Sequence, residues 1–336
     1  MDTKVLRQKV LDLAIRGKLV PQDPNDEPAS VLLERIRQQK QQMVKDGKLK
    51  AKDIKNDTII FVSEDNLHYE KFADGSVKCI EDEIPFELPD GWAWSRLGAV
   101  AEAIGDGDHQ PPPQTSFGVP FLVISNVSGG RLSFENTRFV SKEYFSQLPE
   151  TRKPRNGDLL FTVTGSYGIP VLIDSDDKFC FQRHIAIVRP CTISNRYLYV
   201  ILGSSYVKSI CDAKATGTAQ KTVGLATLRE LLIPVAPYKE QMQIYAQTQD
   251  ALSIVDSVSS DKEDLLNIIE SAKAKILDLA IRGQLVPQDP TDEPASVLLE
   301  RIRAEKEELI KQGKIKRDKK ESVIFRGEDN SYYEKM

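Results

Sequence analysis

Residues 11–37 read LDLAIRGKLVPQDPNDEPASVLLERIR, and residues 277–303 read LDLAIRGQLVPQDPTDEPASVLLERIR. The stretches lie 266 positions apart and match at 25 of 27 places; only Lys18 against Gln284 and Asn25 against Thr291 differ. The likeness continues from Asp46–Lys50 to Gln312–Lys316, from Phe61–Asn66 to Phe325–Asn330, and from Tyr69-Glu70-Lys71 to Tyr333-Glu334-Lys335. The first copy then runs into a long unrepeated block over residues 84–238, and the sequence stops where a second such block would begin. Solenoid units of roughly 20–45 residues stack many times, so this spacing is no solenoid. It reads as a connector used twice, once on each side of a working domain.

The connector has a helical pattern. Leu265, Ile268, Ile269, Ala272, Ile276 and Leu279 recur at three- and four-residue steps, which is one apolar face of a helix. Gly283 follows as a C-cap, Pro287 and Pro290 prevent continuation, and Asp292-Glu293-Pro294 opens the next helix with a proline in its first turn. That helix carries Leu298 and Ile302 and ends at Gly313; the first copy matches, with Leu6, Val10 and Leu13 left of its opening stripe. The stripe has no evident partner within one such chain, and the near-identity extends to solvent-type positions such as Gln22, Asp23, Glu34 and Arg35. The expectation is a homodimer through helices near 1–16, 28–46, 256–283 and 295–312, seamed by Leu6, Val10, Leu13, Leu265, Ile269, Ile276, Leu279, Leu298 and Ile302.

The central block has a different texture. Short β-branched and aromatic runs at 119–124, 159–163, 171–173 and 185–188 alternate with turn clusters such as Gly129-Gly130 and Asn156-Gly157-Asp158. Helical patterns lie at 194–213 and 239–256, the latter opening the long connector helix. The fold class expected is α+β: one mixed α/β domain flanked by long helical, coiled-coil-like regions. The divisions are 1–83 (helical region and linker), 84–238 (central domain) and 239–336 (helical spacer and tail).

Composition bounds the function. With 46 Lys and Arg against 50 Asp and Glu, the net charge is −4, which excludes a polybasic protein that holds nucleic acid by charge alone. The central block carries 15 Lys and Arg and 14 Asp and Glu, so any polyanion site there is a local patch. No apolar run approaches the ~18 residues of a membrane span. The charged N-terminus is unlike a signal peptide. Cys79, Cys180, Cys191 and Cys211 form no Cys-x-x-Cys pair and read as reduced, buried thiols of a cytoplasmic protein.

Four polar loops in the central block carry candidate binding residues. The first is Gly105–Gln110, with His109 and Gln110, followed by three prolines. The second is Thr164-Gly165-Ser166-Tyr167-Gly168, the third Gln182-Arg183-His184, and the fourth Thr216–Thr222, with Thr216, Gly217, Thr218, Gln220 and Lys221. Glycines let backbone approach a ligand, Gln and Arg make bidentate contacts to base edges, and Thr, Ser and Lys suit phosphates. Gln182, Arg183 and His109 are the base-reading candidates, and Lys221 the phosphate contact. Catalytic patterns are weaker. The sequence has no Gly-x-Gly-x-x-Gly, P-loop, His-Glu-x-x-His or Asn/Asp-Pro-Pro-aromatic motif, and its three histidines lack metal-type spacing. One nuclease-like set, Asp158 with Asp176-Asp177-Lys178, remains as an alternative, and a protein-only coiled-coil scaffold as another.

Leu88-Pro89-Asp90-Gly91-Trp92-Ala93-Trp94 opens the central block and Ile233-Pro234-Val235-Ala236-Pro237-Tyr238-Lys239-Glu240-Gln241 closes it; Gly157-Asp158-Leu159-Leu160 and Gly217-Thr218-Ala219-Gln220-Lys221 lie between. In order and spacing these motifs, with the flanking repeats, resemble the specificity (S) subunits of type I restriction-modification systems over nearly the whole chain. The resemblance implies a non-catalytic, cofactor-free subunit that reads double-stranded DNA through target-recognition domains and docks methyltransferase (M) subunits through its helical regions. The M subunits hold S-adenosylmethionine and methylate adenine, and a restriction/translocase (R) subunit is the further partner. The usual pattern has two recognition domains, whereas this sequence has one between two connectors. A symmetric dimer of this half-length form would read an inverted repeat with a nonspecific gap.

Overall fold

The computed structural model describes residues 2–218, 220–317 and 322–335. The first connector copy forms α1 (Thr3–Ile15), α2 (Ala29–Lys45) and α3 (Ala51–Ile54), followed by an antiparallel sheet of β1 (Ile59–Val62), β2 (His68–Lys71) and β3 (Val77–Cys79). The central block contributes β4 (Ala93–Arg96), α4 (Leu97–Val100), β5 (Ala101–Asp106), β6 (Val119–Leu122), β7 (Arg138–Val140), α5 (Lys142–Gln147), β8 (Leu159–Thr162), β9 (Pro170–Leu172), β10 (Cys180–Phe181) and β11 (Ile185–Pro190). It closes with α6 (Asn195–Leu202), α7 (Ser205–Lys214), α8 (Leu225–Glu230) and β12 (Leu232–Val235). Then come α9 (Tyr238–Ile281), α10 (Ala295–Lys311) and the hairpin of β13 (Val323–Arg326) and β14 (Tyr332–Lys335). The chain divides into two compact units, one ending at Glu263 and one beginning at Asp264, with the division inside α9. The fold is thus a mixed helix-and-strand architecture with one long helix.

The centre of the first unit is an antiparallel sheet in the order β5-β11-β8-β9. Residues Ile185–Val188 of β11 and all of β8 are buried, because both faces of the sheet are covered. Alternate residues serve each side. Leu159, Phe161, Ala186 and Val188 pack with Tyr197, Leu198 and Ile201 of α6, while Leu160, Ile185 and Ile187 pack with Leu122, Phe179 and Phe181. A small sheet in the order β10-β6-β7 supplies the second cover. The opening and closing motifs pair with each other: Ala93 lies opposite Val235 and Trp94 opposite Pro234 in the β4–β12 ladder.

Several elements differ from the expectation. The single helical pattern at 194–213 is two helices. Gly203 ends α6, and the hydroxyl of Ser204 accepts from the Val207 N–H at 3.3 Å to start α7. Pro28 and Pro294 stand at the N-caps of α2 and α10 rather than inside the first turn, where the missing N–H costs nothing. The linker after the first copy is a β meander turning at Asn66 (φ 62°) and Gly75 (φ 87°), and the tail repeats its first hairpin with Asn330 at φ 66°. Cys180, Cys191 and Cys211 are buried free thiols, but Cys79 is exposed because β3 is a solvent-facing edge strand.

The first connector copy finds a partner within the chain. Leu11, Ala14 and Ile15 of α1 and Leu32 and Ile36 of α2 share one core with Trp92, Leu97 and Leu198. Arg7 pairs with Asp256 of α9, and the buried Lys40 ammonium donates to the carbonyl of Gly98 at 2.9 Å while pairing with Asp57 at 2.6 Å. The apolar positions face inward because the opening motif and α6 present them with an apolar surface to cover. Leu6, Val10 and Leu13 are half-buried, and Val10 packs against the same core. In the second unit, Leu265, Ile269, Ile276, Leu298 and Ile302 are exposed and Leu279 is half-buried.

Candidate nucleic-acid interface

The antiparallel pairing of the central sheet brings three of the four loops to one end. The end of β5 at Asp106 lies opposite Ala186, and the start of β11 at Ile185 lies opposite Thr162, the end of β8. The first loop therefore leaves β5 where the third enters β11 and the second leaves β8. Backbone bonds lock this arrangement. The Arg183 N–H donates to the Asp108 carbonyl at 3.1 Å, and the Val163 N–H donates to the His184 carbonyl at 2.9 Å. The fourth loop joins through the Gly165 N–H, which donates to the Lys221 carbonyl at 3.1 Å, and the Val223 N–H, which donates to the Val163 carbonyl at 2.8 Å. A Cβ on Gly107 would meet the Phe181 carbonyl oxygen at 1.9 Å, so only glycine permits the first and third loops to lie this close.

Side chains then divide into ties and offered groups. Asp108 accepts from the Tyr144 hydroxyl at 2.7 Å and from Arg152 at 3.1 Å. Partial burial, and after it the Asp108 carboxylate, push the Tyr144 phenol well above its ordinary range. His109 pairs with Asp106 at 2.8 Å and remains largely exposed. Thr164, a candidate contact, is buried, and its hydroxyl sits 3.2 Å from that of Thr222; it ties the second loop to the fourth rather than facing a ligand. The Tyr167 hydroxyl donates to Asp212 at 2.7 Å, and the Lys208 ammonium lies 3.9 Å above the Tyr167 ring. Hydrogen bonds from Lys208 and then Tyr167 hold the Asp212 carboxyl below its ordinary range. His184 is driven below its ordinary value by burial first and by neighbouring Arg183 second.

The offered groups are Gln110, Ser166, Arg183, Gln220 and Lys221, all exposed, with Gln182 half-buried. Thr216, Gly217 and Thr218 are exposed around them, and Ala219 lies outside the described residues. Thr216 and Thr222 exchange backbone hydrogen bonds at 3.0 and 2.8 Å, which closes the fourth loop into a narrow turn. Gly217 (φ 107°) makes the turn possible; a Cβ there would lie 2.4 Å from the Gln220 carbonyl oxygen. Lys208 and Asp212 escaped the sequence reading, although their i,i+4 spacing on α7 was a visible signal.

The nuclease-like set is differently used. Asp158 is buried and accepts from Arg189 Nε at 2.9 Å and Nη2 at 2.8 Å, at the opposite end of the sheet from the loops. Asp176, Asp177 and Lys178 are exposed, and among the described residues no group of three or more His, Cys, Asp or Glu side chains is placed to hold a metal ion. Among them, too, no helix is long and apolar enough to cross a membrane.

A family model described as the type I restriction modification DNA specificity domain matches residues 89–267, from the opening motif into α9. The chain belongs to this family. The specificity-domain match takes in all four loops and the whole central sheet. Two curated relatives are the type I restriction enzyme EcoAI and EcoEI specificity subunits of Escherichia coli. EcoAI is 32% identical over 94% of this chain and 58% of its own length, and EcoEI 30% identical over 94% and 57%. The chain thus spans under three-fifths of the length of either relative. A solved specificity-family structure, the HsdS subunit from Thermoanaerobacter tengcongensis, is 23% identical with a TM-score of 0.42, covering 76% of this chain and 57% of that one.

Proposed function

We propose that the chain is a sequence-specificity subunit of a type I restriction-modification methyltransferase. It recognises double-stranded DNA, performs no catalysis itself and needs no cofactor of its own. The carrying observation is the gathering of four loops at one end of the central sheet. There Gln182, Arg183, Gln220 and Lys221 make no side-chain hydrogen bond or ion pair among the described residues. Unpaired Gln and Arg side chains suit base edges, and a lysine on a narrow turn suits a phosphate. In this reading residues 84–238 read one half-site. Residues 1–83 and 239–336 act as spacers that dock M subunits and, in the restriction complex, an R subunit. Dimerisation along the exposed stripe of Leu265, Ile269 and Ile276 presents two readers to a bipartite, inverted-repeat site.

The test is methyl transfer to DNA by the purified chain, by an M subunit, and by both, followed by mapping of the modified bases. Site-specific adenine methylation requires both proteins. Transfer by this chain alone, or specific transfer by the M subunit alone, overturns the reading.

A further inference from the structure

The two copies of the connector fold alike locally but sit in different surroundings. Gly17 and Gly283 have φ of 63° and 64°. The Gln22 side chain donates to the Gly17 carbonyl at 2.7 Å, and Gln288 to Gly283 at 2.9 Å. Arg35 pairs with Glu27 at 2.6 Å and Arg301 with Glu293 at 2.7 Å. The following helices are each 17 residues long. Exposure, however, is opposite. Ile15, Val20, Leu32 and Ile36 are 0, 7, 1 and 1% exposed, whereas Ile281, Val286, Leu298 and Ile302 are 87, 69, 45 and 49% exposed.

The seat of the first copy is well defined. Gly17 packs so closely on Pro89 that a Cβ would lie 2.4 Å from the ring, and the Ala29 N–H donates to the Gly91 carbonyl at 2.8 Å. Gln22 donates to Glu240 at 3.2 Å, and Glu240 also accepts from the Trp92 indole at 2.9 Å. Each first-copy residue in these contacts has an identical counterpart in the second: Gly283, Ala295 and Gln288. The second copy therefore presents, already formed, the shape and hydrogen-bonding groups that this seat accepts.

We propose that residues 277–303 dock on the recognition domain of another molecule of this chain, in the seat built by Pro89, Gly91, Trp92 and Glu240, by exchange with that molecule's own residues 11–37. Within residues 11–37 the exchange breaks and makes the same contacts. The tethered first copy holds the seat by effective concentration, and the second copy competes as the protein concentration rises. This interface differs from a dimer seam along α9, and the two are separable by experiment.

The full chain carrying the photo-crosslinker p-benzoylphenylalanine in place of Leu299 is prepared unlabelled and ¹⁵N-labelled, mixed, irradiated and mapped by mass spectrometry. The expected products join 295–303 of one molecule to 86–100 of another, with a yield that grows with concentration. Loosening the resident copy by Leu32→Ala and Ile36→Ala raises that yield by about tenfold or more, since weakening a competitor by ~1.4 kcal/mol is one decade. Cross-links confined to 239–311 of another molecule, cross-links only within one molecule, or none while circular dichroism shows the fold intact, overturn the proposal. If the double variant does not fold, the cross-link map of the otherwise unchanged chain decides.

Discussion

The indole N–H of Trp92 donates to Glu240 Oε2 at 2.9 Å, joining the opening motif of the recognition domain to the first turn of α9 across 148 positions of sequence. Gln22 reaches the other carboxylate oxygen, so three chain segments meet on one buried acid. Trp92→Phe removes the donor and leaves that oxygen underpaired in an apolar setting, for an expected loss of about 1–3 kcal/mol in urea unfolding.

The same acid sets a pH dependence. Burial raises the Glu240 pKa above its ordinary 4.5, against the lowering effect of the Gln22 and Trp92 hydrogen bonds. The folded chain holds this proton more tightly than the unfolded one. Its contribution to stability is therefore complete below the ordinary value and is lost as pH rises through the raised one. Glu240→Gln keeps an acceptor for Trp92 and abolishes the titration. A stability–pH curve unchanged by the substitution over that interval would disprove the assignment.

Breaking the buried pair of Arg189 and Asp158 has a larger effect. Both are almost fully buried, and Arg189 also donates to the carbonyls of Glu150 at 3.3 Å and Lys153 at 3.0 Å. Asp158→Ala leaves a guanidinium buried without its counter-charge, an expected loss of about 3–5 kcal/mol. Denaturant titration measures it.

At the DNA face, Lys221→Ala weakens binding to every sequence alike and lowers the slope of log K against log salt by about 1, as for one lost phosphate contact. Arg183→Ala instead relaxes preference at one or two base positions. An effect of Lys221→Ala confined to the specific site would show the phosphate role to be wrong.

Gly217→Ala separates recognition from stability. The new Cβ collides with the Gln220 carbonyl and disfavours the positive φ, which reshapes an exposed turn and leaves the core untouched. Specific binding falls by about tenfold or more, the effect of ~1.4 kcal/mol of strain, and the thermal midpoint stays nearly unchanged. A parallel loss of both would place the turn inside the cooperative fold.

The repeat, the helix–domain–helix order and the four polar loops were legible in the sequence because each is a local pattern. What escaped depends on partners far along the chain. Thr164 looked like an exposed donor because nothing local reveals Thr222, 58 positions on, as its mate. The buried face of α1 is Leu11, Ala14 and Ile15 rather than the stripe of Leu6, Val10 and Leu13, because its cover is α6 and the opening motif, which only the closed domain brings to it. The meander at 59–79 carries a thin local signature, one β-branched run at Thr58–Val62 and turn pairs at Asp65-Asn66 and Asp74-Gly75; His68–Lys71 has no β-branched residue, and its strand is fixed by pairing with its neighbours.

The paired connectors give this chain an internal reference for folding energetics. Ala29–Arg37 and Ala295–Arg303 have the same sequence, the same helix start and the same local ion pair, and differ in what lies against them. At concentrations too low for the second copy to dock on another molecule, amide hydrogen exchange in the second stretch reports what nine residues achieve by propensity and their own ends. The excess protection of the first reports what tertiary packing adds, in one molecule, at one pH and temperature, with no mutation to correct for.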